Sequence, residues 1–346
     1  MAPKRKYDVI TIGSAVRDIF LWLKDDDVII FDNPSGEATR RELLALEYKA
    51  KVNAERSALA FGGGAQNCAI TFGRLGFKVA SVVSLGCDDT AEAIANNMSH
   101  EGLSLDLVSH HSTRHTGFSV IIEAGEEREH VIIAEQGANG LLSFPSARSG
   151  VTSTDWYYAT SLTGGNWPKT LEKIAGFVKS KKINWAWNPG SDQLDAGFGF
   201  LGRFLKHCAV FQVNRDEALG LLRGEDSQTE DNIGLLLTSL LHWGPKMAII
   251  TDGQDGAYYA DKQKMLHISA DKNLVVKEST GAGDAFGSGF VAGLLMTKMA
   301  NVPYALETAM HNAESVLGAI GAQAGILRLD ELKQVLRKKK HKIRKI

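Results

Sequence analysis

The alternation of short apolar runs with longer helical patterns is the feature that most constrains how this chain folds. Six runs are rich in β-branched or aromatic residues, and several are apolar throughout. Such runs are typical of strands buried on both faces of a parallel sheet. They are Asp8 to Ile12, Val79 to Ser84, Trp156 to Thr160, Ile183 to Trp187, Ala209 to Val213 and Met247 to Thr251. The pattern predicts an α/β fold with a doubly wound, mainly parallel sheet flanked by helices.

Helical periodicity fills most of the intervals between these runs. We expect helices over about 66–75, 89–101, 168–180, 200–207, 215–223, 231–242, 283–298, 303–319 and 329–340. A chain of 346 residues is long for one core, but α/β folds of this size commonly form one domain with a small appendage. We therefore assign residues 1–330 to one α/β domain and residues 331–346 to a basic C-terminal helix or tail.

Two regions interrupt the alternation of strands and helices. Residues 18–61 do not lead into a single crossover helix. Thr116 to Ile122 and His130 to Ala134, around the turn-like Gly125-Glu126-Glu127, have the pattern of a hairpin. We expect a small β-rich lid over the sheet, formed by residues of about 16–61 and 115–135.

Charge and cysteine content exclude several classes of protein. The net charge is −1, but residues 333–346 carry eight Lys or Arg and no acid, which leaves −9 for the rest. A basic cluster at a helix end is commonly a solvated terminus, so we predict no nucleic-acid or membrane partner. The three cysteines form no CxxC pair, and no apolar stretch approaches membrane-spanning length. A cytoplasmic enzyme without disulfides or a zinc site fits these observations.

The sequence Ser279-Thr280-Gly281-Ala282-Gly283-Asp284-Ala285-Phe286 opens a helix that is rich in small residues. Glycines at a helix start leave N–H groups free at the positive end of the helix dipole, where they suit a phosphoryl group that gathers charge. Asp284 follows those amides and is placed to accept a proton from an attacking hydroxyl. The alternative is a tight turn in which Asp284 only complements the helix dipole.

A second glycine-rich motif is Phe61-Gly62-Gly63-Gly64-Ala65-Gln66-Asn67-Cys68-Ala69. Three glycines allow a ligand to approach the backbone closely, and Asn67 offers both a donor and an acceptor to hydroxyl groups. Alone the motif is ambiguous, because Asn67 also suits a helix cap.

Together, in this order and about 220 residues apart, the two motifs resemble the ribokinase-like family, also called the PfkB carbohydrate kinases. Weaker matches support the resemblance over roughly residues 7–327. They are Asp8-Val9 through Gly13 to Asp18, Gly86 to Asp88, Asn188-Pro189, Asn214-Arg215-Asp216-Glu217 and Thr251-Asp252-Gly253-Gln254-Asp255-Gly256. The fold of that family, a doubly wound sheet with a β lid, agrees with the predicted elements.

The resemblance implies roles for particular residues. Asp284 would be the catalytic base, with an anion hole formed by the amides of Gly281, Ala282 and Gly283. The substrate hydroxyls would be bound by Asp18, Gly63 and Asn67.

The implied cofactors are ATP and Mg²⁺. Asn214 and Glu217 fit the NxxE pattern of the family, in which Glu217 helps to place the magnesium. The nucleotide would lie along Thr251, Gly253 and Gly256, with Asn312 near its base. ADP-dependent relatives typically carry an aspartate in the NxxE pattern, so ATP is the expected donor.

The chain departs from the family at one position of the catalytic motif. Family members commonly carry Asp-Thr-Thr before Gly-Ala-Gly-Asp, whereas this chain has Glu278-Ser279-Thr280. Some family members build a monovalent-cation site near this position. The substitution leaves both the presence and the absence of that site as alternatives for this chain.

Other functions are disfavoured. Gly197 to Gly202 matches the GxGxxG dinucleotide pattern, but about nine residues separate it from the preceding strand and no acidic partner follows at the expected spacing, which argues against an NAD-binding oxidoreductase. No GxxxxGK[ST] sequence is present. A non-catalytic sugar or nucleotide sensor would be expected to lack the base at Asp284. The ten histidines form no cluster with metal-ligand spacing.

The sequence thus predicts transfer of the γ-phosphoryl group of Mg-ATP to a hydroxyl of a sugar or sugar acid, such as ribose, fructose or 2-keto-3-deoxygluconate. An adenosine-type nucleoside is the alternative acceptor, and Phe20, Trp22 and Phe118 would either stack on its base or pack the lid. The assembly that we consider for this chain is a homodimer formed through the lid.

Overall fold

The computed structural model describes residues 6–34, 42–124, 129–147 and 150–346. Its strands are β1 Val9–Ile12, β2 Val16–Trp22, β3 Ile29–Asp32, β4 Glu42–Ala45, β5 Arg56–Gly62, β6 Val79–Leu85, β7 Val108–His110, β8 Phe118–Ala124, β9 Glu129–Glu135, β10 Trp156–Ala159, β11 Asn184–Trp187, β12 Val210–Asn214, β13 Met247–Thr251, β14 Ala257–Ala260, β15 Met265–Ile268 and β16 Ile343–Lys345. Its α-helices are α1 Gly64–Arg74, α2 Asp89–His100, α3 Trp167–Lys181, α4 Ser191–Leu194, α5 Gly197–Leu205, α6 Arg215–Arg223, α7 Ile233–His242, α8 Ala282–Met296, α9 Val302–Leu317 and α10 Leu329–Lys338.

Ten strands form the main sheet, in the order β16-β15-β14-β13-β12-β11-β10-β1-β6-β7. The pairings from β7 through β13 are parallel, and β14, β15 and β16 add an antiparallel edge. All six predicted strand runs lie in the parallel part. The strand order reverses at β1, since the chain moves outward through β6 and β7 and then returns to β10 on the other side. The doubly wound, mainly parallel sheet is confirmed.

Two apolar cores cover the two faces of this sheet. One core packs helices α1, α2, α8, α9 and α10 against side chains such as Val9 and Tyr158. The other packs α3, α5, α6 and α7 against Tyr157, Trp185 and Trp187. Neighbouring strand residues point to opposite faces, so strands buried on both sides must be apolar throughout. This is why the predicted runs show little alternation of apolar and polar residues.

A second sheet lies apart from the first and has the strand order β5-β2-β8-β9. Its strands fall within the ranges expected for the lid, and the predicted hairpin is the antiparallel pair β8–β9. The turn at Gly125 to Glu127 lies outside the described residues. Asp18 and Phe20 are buried on one face of this sheet, whereas Leu59 and Ile133 are exposed on the other. We call this sheet the lid sheet; β3 and β4 form a separate hairpin.

The basic C-terminus differs from the predicted solvated tail. Helix α10 ends at Lys338, and the chain then turns back so that β16 pairs with β15 at the edge of the main sheet. His341 is buried and lies between the carboxylates of Glu307 and Glu314 on α9. Burial opposes a charge on this ring, but the two hydrogen-bonded carboxylates outweigh it and raise the pKa of His341 to about 9. Local basic composition does not reveal this long-range anchor.

Two other features bear on the functions considered above. The GxGxxG match at residues 197–202 lies inside helix α5, where it cannot form the strand-to-helix turn of a dinucleotide site. Among the described residues, no helix is both long and apolar enough to cross a bilayer.

Helix α8 lies unusually close to α9 because small residues line the contact. A Cβ atom added at Gly293 would lie 2.6 Å from the Cα atom of Ala305. By contrast, a Cβ added at Gly176, an exposed interior position of α3, meets no atom within 4 Å.

The two glycines should therefore respond to the same substitution with opposite signs. We expect Gly293→Ala to lower the free energy of unfolding by about 1–3 kcal/mol through overpacking. Gly176→Ala should raise it by about 0.5–1 kcal/mol, since alanine is the better residue in an unstrained helix. Urea midpoints of the two variants and the wild type check this; a Gly293→Ala variant as stable as Gly176→Ala would contradict the close packing.

Candidate active site

A cavity of about 230 Å³ opens between the lid sheet and the C-terminal end of the main sheet, close to the point where the strand order reverses. Doubly wound sheets bind ligands at such reversal points. Five of the residues predicted to act at the site line this cavity: Asp18, Gly63, Asn67, Gly281 and Asp284. The first comes from β2, the next two from the start of α1, and the last two from the start of α8.

The N-terminus of α8 forms one wall of the cavity. Gly281 precedes the helix with φ at 82°, a left-handed conformation that disfavours residues with a side chain. The amide of Ala282 donates to the Ser279 carbonyl at 3.3 Å, so it is already engaged in a turn. The amides of Gly283 and Asp284 donate to no acceptor within the described residues. Of the amides of Ala282 and Gly283, both expected to contribute to an anion hole, only that of Gly283 is free to donate to a ligand.

Asp284 lies in the first turn of α8, and Asn67 orients it. The Nδ2 atom of Asn67 donates to Oδ2 of Asp284 at 2.9 Å. Burial raises the pKa of Asp284, and the hydrogen bond from Asn67 partly offsets this effect. A carboxylate with a raised pKa is a better proton acceptor than an exposed one, which suits a general base.

Asn67 is itself held by a residue that sequence reasoning missed. Gln323 donates from Nε2 to Oδ1 of Asn67 at 3.1 Å and accepts from Nδ2 of Asn97 at 3.1 Å. These contacts decide which end of the Asn67 amide faces Asp284. Gln323 follows α9 and is separated from Asn67 by 256 residues, so no local pattern signals the pair.

Asp18 is 3% exposed and lies opposite Asp284 in the same cavity. Burial is the main cause that raises the pKa of this carboxyl to about 6; the Glu278 carboxylate adds to the rise, while Ser119 and Arg17 oppose it. The group thus changes charge close to neutral pH and has unused capacity to accept hydrogen bonds from a ligand.

Asn214 and Glu217 lie where β12 passes into α6. The Asn214 side chain accepts from the amide of Glu217, and the Glu217 carboxylate accepts from the amide of Asn214, both at 2.8 Å. This capping box fixes both side chains at a helix N-terminus, and burial raises the pKa of Glu217. Asn214 pairs in register with Thr251 on β13, so these two predicted residues are neighbours.

Gly253 and Gly256 lie in the loop that follows β13, on the same edge of the sheet. Arg215 connects this loop to α6, because it donates to Asp252 at 2.9 Å and to Asp231 at 2.9 Å. Gln212, which sequence reasoning also missed, connects β12 to α8 by donating to the Gly283 carbonyl at 2.9 Å. The predicted nucleotide residues therefore form a second group beside the cavity and do not line it.

The structure contradicts the expected role of Asn312 near a nucleotide base. Asn312 is fully buried on α9, its Nδ2 donates to the Ala285 carbonyl at 3.0 Å, and its Oδ1 accepts from the Leu327 amide at 3.0 Å. Both ends of the amide are used inside the protein, so this residue holds α8 and α9 together instead of facing a ligand.

Glu278, the departure from the family motif, is buried behind the cavity. Its Oε1 atom accepts from the Thr280 amide at 2.5 Å. Its Oε2 atom and the Thr280 hydroxyl have no hydrogen-bond partner among the described residues. Buried oxygens in this state are suited to bind a cation or water.

Solved structures of other proteins have the same fold. The fold matches that of ribokinase from Arabidopsis thaliana complexed with ribose and ATP, with a TM-score of 0.77 and 19% identity over 96% of this chain and 99% of that one. It also matches a nucleoside kinase from Burkholderia thailandensis in complex with inosine, with a TM-score of 0.75 and 17% identity over 95% and 98% of the two chains. These matches identify the ribokinase fold.

The sequence matches the family described as pfkB family carbohydrate kinase over residues 33–328, and the chain belongs to that family. Among curated proteins, it is 27% identical to ribokinase from Haemophilus influenzae over 249 residues, which span 69% of this chain and 76% of that protein. The resemblance inferred from the motifs is confirmed.

The raised pKa of Asp18 predicts that this residue opposes stability while it is ionised. A carboxyl whose folded-state pKa lies above its unfolded value stabilises the fold at low pH and loses that contribution as pH rises through about 6. We therefore expect Asp18→Asn to raise the free energy of unfolding by about 1–3 kcal/mol at pH 8, with little gain at pH 4. Thermal unfolding of both proteins across this range measures the effect; a variant less stable than the wild type at pH 8 would contradict it.

Proposed function

We propose that this chain transfers the γ-phosphoryl group of ATP to a hydroxyl of a small neutral sugar. The observation that carries the proposal is the meeting of Asp284, Asn67 and Asp18 in one cavity at the N-terminus of α8. A base, hydroxyl-binding groups and free helix amides are the parts that such a transfer needs.

In the proposed mechanism, Asp18 and Asn67 hold substrate hydroxyls so that the reacting one faces Asp284. Asp284 would accept the proton of that hydroxyl as its oxygen attacks the γ-phosphorus of ATP; the bond from that phosphorus to the bridging oxygen breaks, and ADP leaves. The amide of Gly283 would stabilise the negative charge on the phosphoryl oxygens. Most of the rate enhancement would come from positioning, since phosphoryl transfer needs little covalent help. The lid sheet, which carries Asp18, would exclude water from the cavity.

The nucleotide would lie along Thr251, Gly253 and Gly256, beside the cavity. Glu217 and Asn214 would help to hold the magnesium ion, which neutralises phosphate charge when it is bound with ATP. Their donor set fits this role, because a half-buried carboxylate at a helix N-terminus is available to a hard cation or its waters. The unpaired oxygens of Glu278 and Thr280 fit a monovalent cation in the same way.

The charge of the cavity favours a neutral sugar over a sugar acid. Three carboxylates, those of Asp18, Glu135 and Asp284, line it. The described lining residues include no Lys, Arg or His, and the one imidazole beside them is that of His115, whose Nε2 lies 3.6 Å from Oε2 of Glu135 at the rim. Two like charges 4 Å apart repel by about 1–4 kcal/mol between the dielectric limits of water and a protein surface. A substrate carboxylate such as that of 2-keto-3-deoxygluconate would meet this repulsion.

A nucleoside remains the second candidate acceptor because Phe118 lines the cavity and offers a ring face. The other two aromatic residues that we considered lie differently. Phe20 is fully buried and stacks on Trp22 at 5.9 Å, and neither lines the cavity, so they pack the lid sheet.

The outer face of the lid sheet is the proposed surface for a homodimer. Leu59, Val131 and Ile133 are 63%, 42% and 57% exposed on this face. These side chains belong to the two outer strands of the lid sheet, and exposed apolar side chains that share a sheet face commonly mark an interface. A second copy packing on this face would cover these side chains and stiffen the strand that carries Asp18.

Replacement of the base should separate chemistry from nucleotide binding. We expect Asp284→Asn to lower kcat by about 10²–10⁴-fold while the affinity for ATP changes little, because Asp284 acts on the acceptor hydroxyl. Steady-state kinetics and nucleotide titration measure the two effects. Asp89→Asn, which changes an exposed carboxylate in the first turn of α2, is the matched control. Near-wild-type turnover in Asp284→Asn would contradict the assignment of Asp284 as the base.

A substrate panel decides the acceptor. At equal concentrations, kcat/KM for ribose or fructose should exceed that for 2-keto-3-deoxygluconate by at least about tenfold, given the repulsion estimated above. Glu135→Gln should narrow this gap by removing one of the carboxylates. A kcat/KM tenfold higher for adenosine, inosine or cytidine than for every sugar would overturn the sugar assignment and leave the kinase mechanism in place.

A further inference from the structure

A cluster of buried ligand-type side chains lies outside the active site, where the C-terminal tail meets α9. Glu307, His311 and His341 each direct one ligand atom into a common space, with all three atoms within 4.8 Å of one another. All three side chains are buried. Glu307 and His311 occupy successive turns of one helix face, and His341 reaches them from the tail.

Three of the distances between these atoms are close to the edge length of a tetrahedral zinc site. Oε2 of Glu307 lies 3.0 Å from Nδ1 of His341 and 3.5 Å from Nε2 of His311. The carbonyl oxygen of Lys339 lies 3.3 Å from the same Nε2 and offers a fourth donor. Zinc ligands at about 2.0–2.1 Å from the metal are about 3.3 Å apart in a tetrahedron.

Two further contacts argue for a metal rather than a set of hydrogen bonds alone. Both acceptors near Nε2 of His311 are farther away than the usual 2.9–3.0 Å or so of an N–H···O bond, so the hydrogen bond of this ring to the Lys339 carbonyl is a long one. Nε2 of His341 lies 3.0 Å from Oε1 of Glu314. A histidine that binds zinc through one nitrogen typically donates the other N–H to a carboxylate in this way.

We propose that Glu307, His311 and His341, with the Lys339 carbonyl, form a structural Zn²⁺ site that fastens the C-terminal tail to α9. Two imidazoles and one carboxylate select zinc over magnesium or calcium, which prefer oxygen ligands. With four protein donors the site is closed, as structural zinc sites are. Glu314 orients His341 and does not touch the metal.

Zinc titration of the full chain tests the proposal. The protein is treated with EDTA, desalted and titrated with Zn²⁺ by calorimetry, without nucleotide or magnesium. We expect one zinc per chain and a rise in Tm on zinc addition. His311→Gln and His341→Gln should each weaken zinc binding by at least about 100-fold, and Glu314→Gln by about 10–100-fold. His242→Gln, an exposed histidine at the end of α7, should bind zinc as the wild type does.

His311→Gln keeps the test decisive if loss of His341 unfolds the tail, because the ring of His311 makes only long contacts at Nε2. The absence of saturable 1:1 binding, or equal zinc affinity in His311→Gln and the wild type, would overturn the proposal. In that case the cluster is an ion-paired anchor that holds only protons.

Discussion

The close seating of helix α8 against the sheet and against α9 is the constraint on which the candidate site depends. Glycines at the contact allow it: a Cβ at Gly287 would lie 2.0 Å from the side chains of both Gln212 and Tyr158. Gln212 also donates to the Gly283 carbonyl and so fixes the first turn of the helix relative to β12. Because the proposed base Asp284 and the free amides both belong to that turn, any movement of α8 would displace them together.

Two carboxylates in the cavity have raised pKa values, and their surroundings suit different tasks. Asp284 accepts a hydrogen bond from Asn67, which fixes its orientation and moderates the effect of burial. Asp18 is almost fully buried beneath the lid sheet, near the further negative charge of Glu278. Burial makes the charged form of Asp18 unfavourable, and in the proposed function the hydroxyls of a bound sugar would stabilise that form by donating hydrogen bonds to it. Stability is thereby lower in the free protein than it would be with a neutral side chain at residue 18.

Much of this architecture could be predicted because it depends on local pattern. The apolar runs around Val79 and Met247 are continuous, as burial on both faces requires, and both form parallel strands. The glycine motifs likewise placed Asn67 and Asp284 at helix starts that meet in one cavity. The expectation that Asn312 lies near the nucleotide base was wrong. A matching residue type does not show whether the side-chain amide already forms hydrogen bonds inside the protein, as that of Asn312 does.

What the sequence could not reveal is contact between distant segments. Gln323 orients Asn67 across 256 residues, and His341 meets Glu307 across 34, so neither pair leaves a periodic or motif signal. The basic composition of the tail also predicts exposure to solvent. In the structure, two buried carboxylates on α9 form hydrogen bonds with the His341 ring of the tail and balance its positive charge. The net charge of a segment describes that segment alone. Whether the segment packs against the rest of the protein depends on the charged groups that face it there.

The docked tail has a physical connection to the predicted nucleotide loop. Arg344 on β16 donates to Nδ1 of His267 at 3.1 Å, which places the ring proton on Nε2. That nitrogen then donates to the Asp255 carbonyl at 2.7 Å, in the loop that contains Gly256. A hydrogen bond to Asp255 holds the backbone at the position where the loop turns into β14. Anchoring residue 341 on α9 therefore also fixes the strand that supports this loop, so the last residues of the chain contribute to the geometry of a site to which they do not belong.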